Sequence, residues 1–202
     1  MNKILIFILL SFQIYCYPVN KIKNDIETLF TFAEPTYEIT IDKKIYQVDL
    51  KRLLWLTAGM ESNFGKDKYS GRIAKTYMQL EPESAKHYIK VFKSTKIYME
   101  SNINRKLTTY YDKDAMYVSY ILYLSKLHYH KNWIDRYKYI YYNTNDIEWF
   151  IYKLYYNSIK GKSKFTMWKY REKYYHELIL GGKEYKWNTW EVNQELKNIL
   201  FQ

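Results

Sequence analysis

The sequence predicts a mainly α-helical domain with a small β-hairpin near its N-terminus. Three observations carry that expectation. Apolar residues recur at helical spacing in long stretches that open at Asp49, Asp112 and Ile147. One short run, Tyr37-Glu38-Ile39-Thr40-Ile41, alternates in polarity and meets a second, Ile45-Tyr46-Gln47-Val48, across Asp42-Lys43-Lys44. The length of 202 residues suits one domain with short extensions and is ample for a buried core.

Each element can be justified in chain order. Residues 1–16 read as a secretory signal peptide: Lys3 supplies the positive start, and Ile4 through Leu10 with Phe12 and Ile14 form the apolar run. That run is shorter than the ~20 apolar residues needed to span a bilayer. Ile14 and Cys16 do not match the small-residue preference of a cleavage site, so an uncleaved anchor is the alternative. Cys16 is the single cysteine of the chain. Cleavage after it leaves no disulfide, and stability then rests on packing. Residues 17–47 form an N-terminal extension with a short helix carrying Ile26, Leu29 and Phe30, followed by the hairpin.

From residue 48 to 180 the pattern is that of one helical domain. Asp49 caps a helix whose Leu50, Leu53, Leu54, Thr57 and Ala58 form one apolar stripe. Continuing the spacing past Ala58 lands on Glu61. A carboxyl held against apolar packing loses hydration, and its proton stays available near neutral pH, as a general acid requires. Asn63 and Gly65 end this helix, and a polar loop follows. Pro82 opens the next helix at the position where its missing N–H costs nothing, with Ala85, Tyr88, Ile89 and Phe92 facing inward.

Asp112 begins a longer helix with Ala115, Val118, Ile121, Leu122 and Leu127 in register for burial, and with Tyr117, Tyr120 and Tyr123 as framework. Asn145 three residues before Glu148 matches a capping box for a helix over residues 147–157. A last helix around residues 165–180 presents Trp168, Tyr175 and Leu178 and stops at Gly181-Gly182. Residues 181–202 form a tail carrying Trp187, Trp190, Leu196 and Leu200.

Two motifs carry a resemblance. Glu61-Ser62-Asn63-Phe64, a loop with Ala74, and Met78-Gln79-Leu80-Glu81-Pro82-Glu83-Ser84-Ala85 resemble the lytic transglycosylase signatures E-S-x-F, G-A-x-G and M-Q-L-x-P-x-T-A. Downstream, Tyr155-Tyr156-Asn157-Ser158 resembles the A-Y-N-A-G signature of the same family, in the expected order. The sequence departs from the family at Ile73 and Thr76, where glycines are usual, and at Ser84, where threonine is usual. Ile159 and Lys160 also intervene before Gly161.

The resemblance implies a lysozyme-like fold and cleavage of peptidoglycan between N-acetylmuramic acid and N-acetylglucosamine. It implies Glu61 as the single catalytic acid and base, oriented by a hydrogen bond from Tyr156. Ser62, Met78, Gln79, Tyr156 and Asn157 would line the glycan subsites. Taken singly, Met78 is a typical core residue and Gln79 a typical loop hydrogen-bonder. Asp67, Glu81 and Glu83 are the candidates for a second carboxylate, as hydrolysis in a lysozyme would need; Glu81 and Glu83 also suit a helix N-terminus.

Other chemistries find little in the sequence, and neither a metal nor a cofactor is expected. His176-Glu177 opens like a zinc-protease helix, but Leu180 stands where the second histidine belongs. His128 and His130 fall on different helix faces. Gly161-Lys162-Ser163 echoes a phosphate loop whose earlier glycine is replaced by Tyr156.

The net charge of +11 favours anionic partners, whether wall polymers, a membrane surface or nucleic acid. Lysine interleaved with tyrosine, as in Tyr137-Lys138-Tyr139 and Lys169-Tyr170-Arg171, would also suit nucleic-acid binding. Export argues instead for peptidoglycan strands as partner, in the periplasm or cell envelope, with hydrolytic lysozyme action or non-catalytic wall binding as the alternatives. Tyrosine is over-represented at 25 residues, a bias that a low-GC genome produces by itself.

Overall fold

The computed structural model describes residues 19–64, 76–93, 112–156 and 165–175. In order the elements are α1 (residues 19–29), β1 (Thr36–Ile41), β2 (Lys44–Asp49), α2 (Leu50–Ser62), α3 (Pro82–Lys93), α4 (Asp112–Tyr129), α5 (Lys131–Tyr137), α6 (Tyr139–Thr144), α7 (Ile147–Tyr155) and α8 (Phe165–Tyr175). The chain is mainly helical with one two-stranded antiparallel sheet, as the periodicities indicate. The expected signal segment, Gly65, Asp67, Asn157, Leu178 and the tail lie outside the described residues. No helix among the described residues is long and apolar enough to cross a membrane.

Helix α2 is the centre of the packing. Asp49 caps it, its side chain accepting from the Arg52 amide at 2.8 Å. Leu50, Leu53, Leu54, Thr57 and Ala58 are buried as the stripe predicts, but so are Trp55, Leu56 and Gly59. The helix is enclosed on more than one side because α8, α7, α4 and both strands all pack on it. Each fully buried leucine there contributes about 1.5–3 kcal/mol of transfer free energy.

The end of α2 is closed by Asn63 in the left-handed region at φ 52°, with Phe64 beside it at φ 56°. Their amides return to the Gly59 and Ala58 carbonyls at 3.1 and 3.2 Å. This reversal folds the Phe64 ring onto Trp55, with ring centroids 4.8 Å apart, and directly over Gly59. A Cβ at Gly59 would lie 2.6 Å from Phe64 Cζ. Gly59→Ala is therefore expected to destabilise, since overpacking a buried ring costs about 1–3 kcal/mol. The gain in helix propensity, about 1 kcal/mol, offsets only part of this. Denaturant unfolding checks it, and a second change, Phe64→Leu, should recover part of the loss.

The hairpin turns through Asp42-Lys43, with φ of 47° and 66°, the two positive values that a tight type I′ turn needs. Asp42 is held there by Lys138 and by the Tyr142 hydroxyl, which donates at 2.5 Å. Ile39, Ile41 and Val48 face the core. Helix α1, which carries Ile26 and Leu29 as expected, is already helical at residue 19, so Val19 and Ile22 extend its buried stripe. Residues 19–48 thus share one hydrophobic core with α2, α4 and α7.

The capping box expected at Asn145 and Glu148 does not form. Asn145 is the left-handed C-cap of α6 at φ 50°, and Asp146 is the N-cap of α7, accepting from the Trp149 amide at 3.0 Å. Glu148 reaches elsewhere. Its carboxylate accepts from the Asp49 amide at 2.8 Å and pairs closely with Arg52.

Arg52 also forks onto Asp146, at 3.1 and 3.3 Å, and pairs with Glu172 of α8. Lys169 adds a second cation, 3.0 Å from Asp146 and 2.8 Å from Glu172, and the Trp168 indole donates to Asp146 at 3.1 Å. The cluster ties the starts of α2 and α7 to the middle of α8. Burial opposes the Arg52 charge, but Asp146, Glu148 and Glu172 outweigh it and hold its pKa above the ordinary value. Burial also opposes ionisation of Asp146 and Glu172, yet their bonds to Arg52 and Lys169 leave both pKa values lowered.

Glu148 goes the other way. Burial pushes it up to about 7, against the pull of the Arg52 charge and the Asp49 amide. A carboxyl whose folded pKa lies above its unfolded value binds its proton better when folded. Its contribution to stability is complete below its ordinary value of 4.5 and is lost as pH rises through 7. The size is about 3 kcal/mol. Asp146 and Glu172 give the opposite slope, losing stability as pH falls through their lowered values. Urea unfolding at pH 5 and pH 8 should show the wild type weaker at pH 8, and Glu148→Gln should remove that difference.

Candidate active site

Glu61 occupies the last turn of α2 and is half-buried. Its Oε1 accepts a hydrogen bond from the Tyr152 hydroxyl at 2.6 Å. Tyr152 stands on the second turn of α7. Four residues on, one turn further along the same face, Tyr156 lies stacked on it with ring centroids 6.2 Å apart and planes 17° apart. Tyr123 of α4 stacks on the other side of Tyr156 at 5.6 Å. The three rings form a wall beside the carboxyl.

Each hydroxyl of the wall is held. Tyr123 shares a 2.7 Å bond with Thr57 Oγ1, which itself donates to the Leu53 carbonyl. Tyr156 donates to the Met78 carbonyl and lies 3.3 Å from Ser119 Oγ. Burial pushes the Tyr123 and Tyr156 phenols well above their ordinary value, and the nearby charge of Glu61 adds to the rise. Both therefore stay protonated across the physiological range and serve as neutral hydrogen-bonding groups.

The Tyr156 bond to Met78 corrects one expectation. Tyr152 is the hydroxyl placed on Glu61, and the Tyr156 hydroxyl is placed on the Met78 carbonyl. The reason is the rise of the helix. Glu61 lies level with the second turn of α7, whereas Tyr156, the C-cap residue, stands one turn past it, level with Met78.

The Met78-Gln79 segment is held at both ends. Gln79 adopts φ 50°, and its amide and its side-chain nitrogen both reach the Thr76 carbonyl, at 3.0 and 2.9 Å. Tyr77 donates to Asp25 of α1 at 2.8 Å. This segment is tight without the glycine usual at the Thr76 position, because Thr76 supplies a carbonyl and Gln79 takes the left-handed conformation.

The remaining predicted residues fall into two groups. Ser62 is 1% exposed, and its hydroxyl donates to the Ala58 carbonyl at 3.0 Å; the Met78 side chain is fully buried. Both side chains belong to the interior, while Glu61, Gln79 and Tyr156 retain partial exposure. Glu81 and Glu83 stand at the start of α3, where Glu83 pairs with Lys86 at 2.6 Å.

Sequence reasoning missed Tyr152, Tyr123, Thr57 and Ser119. For Tyr152 a signal existed: it precedes Tyr156 by four residues and so shares its helix face. The others are brought in only by the packing of α4 on α2 and α7. No family model, curated protein or solved structure matches the chain.

Proposed function

We propose that the chain is an exported peptidoglycan lytic transglycosylase that acts in the periplasm or cell envelope. One observation carries the reading: a carboxyl at the end of the central helix, Glu61, is held at 2.6 Å by Tyr152 beside the anchored Met78-Gln79 segment. A glycan-cleaving acid needs a positioned carboxyl, and this one stands at the residue that the Glu-Ser motif marks.

In the proposed reaction Glu61 protonates the oxygen that bridges N-acetylmuramic acid to the next sugar, and that bond breaks as positive charge develops on the ring. Glu61, now a carboxylate, accepts the proton of the C6 hydroxyl of the same muramic acid. The C6 oxygen closes onto C1 and gives a 1,6-anhydro product without consuming water. Tyr152 fixes which way the carboxyl turns. Tyr156 holds the Met78-Gln79 backbone where the glycan would lie.

The test is mass spectrometry of the muropeptides that the mature protein releases from purified peptidoglycan. Products one water lighter than the hydrolytic disaccharides are the expected result. Reducing-end products would make the protein a hydrolytic lysozyme. No release from walls that it still binds would make it a wall-binding protein.

Tyr152→Phe supplies a sharper prediction about the geometry. Removing a hydrogen bond to a charged group costs about 1.5–3 kcal/mol. The variant should lose about 10- to 150-fold in kcat with KM unchanged, and its melting temperature should fall by about 2–4 °C per kcal/mol lost. Tyr156→Phe should act on KM as well, because it releases the Met78 carbonyl.

A further inference from the structure

We propose that Asp25 of α1 is a positioning residue for glycan binding, which acts through Tyr77 to hold Gln79 in the conformation that meets the substrate. This role rests on the reading of Glu61 as a glycan-cleaving acid, and it adds to that site a helix outside the two motifs. Val19, Ile22, Ile26 and Leu29 bury the apolar face of α1, and Asp25 is the charged residue buried with them. Its Oδ2 accepts from the Tyr77 hydroxyl at 2.8 Å and from the Lys21 ammonium at 2.9 Å. Tyr77 is 2% exposed, and Lys21 lies over its ring, 5.7 Å from the centroid. An apolar side chain at position 25 would continue the stripe and spare the desolvation of a carboxylate. Stability alone does not call for an acid here, whereas fixing the Tyr77 hydroxyl does.

Tyr77 begins a run of three residues, each held by a different group. The Tyr77 side chain is held by α1, and the Met78 carbonyl by the Tyr156 hydroxyl. Gln79 is held by the Thr76 carbonyl, which its amide and side-chain nitrogen meet at 3.0 and 2.9 Å. At φ 50° Gln79 occupies a region that strains a residue with a Cβ, and it stays there only while its surroundings hold it. The Tyr77 and Met78 side chains are buried, and Gln79 keeps partial exposure at the site. The buried anchors therefore set how the open side chain of the three is presented.

Releasing Tyr77 lets the turn over residues 76–79 relax toward negative φ, and the Gln79 side chain then leaves its place. Glu61 and Tyr152 stand on α2 and α7 and keep their own bond. The loss should fall on substrate binding and spare the chemical step, which separates Asp25 from a residue that acts on Glu61.

The test measures the kinetics of muropeptide release from solubilised glycan strands, together with deuterium exchange of the Gln79 amide read by NMR in the same protein. Tyr77→Phe keeps the buried ring and Asp25→Leu continues the apolar stripe, so each breaks the bond from its own side. Both should raise KM about tenfold or more with kcat unchanged, and Gln79 should exchange faster by a similar factor. Asp25→Asn keeps an acceptor for the Tyr77 hydroxyl and should recover most of the affinity. Ile22→Ala loosens the same helix without touching Asp25, so it should lower the melting temperature and leave KM where it was. Wild-type KM in Tyr77→Phe and Asp25→Leu would overturn the proposal, whether or not Gln79 exchange quickens. So would an equal rise of KM in Ile22→Ala, since loosening of α1 would then explain the whole effect. A wild type that releases no muropeptides overturns the Glu61 reading and this role with it. An active wild type whose KM the two variants leave alone overturns this role and keeps that reading.

Discussion

Glu61→Gln is expected to fold like the wild type and to release no anhydro-muropeptides above background. The glutamine amide keeps an acceptor oxygen for the Tyr152 hydroxyl, so the local geometry and the thermal unfolding curve should hardly change. What it removes is the proton. General acid or base catalysis by one side chain contributes about 10²–10⁴-fold. In the proposed reaction Glu61 performs both steps, so the loss should lie at or beyond the upper end of that range. Initial rates of product release, measured by mass spectrometry beside circular dichroism of the same samples, check both halves. If the variant retained the wild-type rate, the acid would have to be another residue and the α2 site would lose its assignment.

The stretch that carries this site was the most legible part of the sequence, and the physical reasons are local. Asp49 as cap, the leucines at helical spacing, the left-handed stop at Asn63 and the proline start of α3 depend only on neighbours within a few residues. The hairpin follows from strict alternation, but the three-residue turn expected at Asp42-Lys43-Lys44 closes in two, so Lys44 joins β2 opposite Ile41 and the register moves by one residue. Where partners are distant in sequence, the same reading went astray. The spacing of Asn145 and Glu148 is that of a capping box, but Arg52 and the Asp49 amide draw the Glu148 carboxylate across the fold. Asp146 then takes the cap.

Tyr152 shows the intermediate case. Its place on the face of Tyr156 follows from helix geometry, but its pairing with Glu61 depends on how far α7 slides along α2. No local pattern states that offset. The burial of Ser62 and Met78 was hidden for a similar reason, since one helix end and one loop residue look open until other elements cover them.

Replacing Arg52 is expected to have the largest effect on stability. Its side chain is 12% exposed and faces Asp146, Glu148 and Glu172, of which Asp146 is almost wholly enclosed. Arg52→Met leaves Asp146 and Glu172 with Lys169 as their cation and Glu148 with the Asp49 amide. Uncompensated buried charge of this kind costs about 3–5 kcal/mol, a large share of the 5–15 kcal/mol that typically holds a domain. For a chain of this size the melting temperature should fall by roughly 10 °C or more.

Arg52→Lys should recover only part of the loss, because an ammonium cannot reproduce the fork onto both Asp146 oxygens. The cluster also bears on the chemistry. Arg52 ties the start of α2 to the start of α7, and Glu61 ties the end of α2 to Tyr152 on the next turn of α7. If the first tie sets the offset of the two helices, the Arg52 variants should show reduced kcat even at temperatures where circular dichroism finds them fully folded. Glu148→Gln, which keeps the Arg52 fork onto Asp146, should leave kcat nearly unchanged. That divergence would separate positioning of Glu61 from general loosening of the fold.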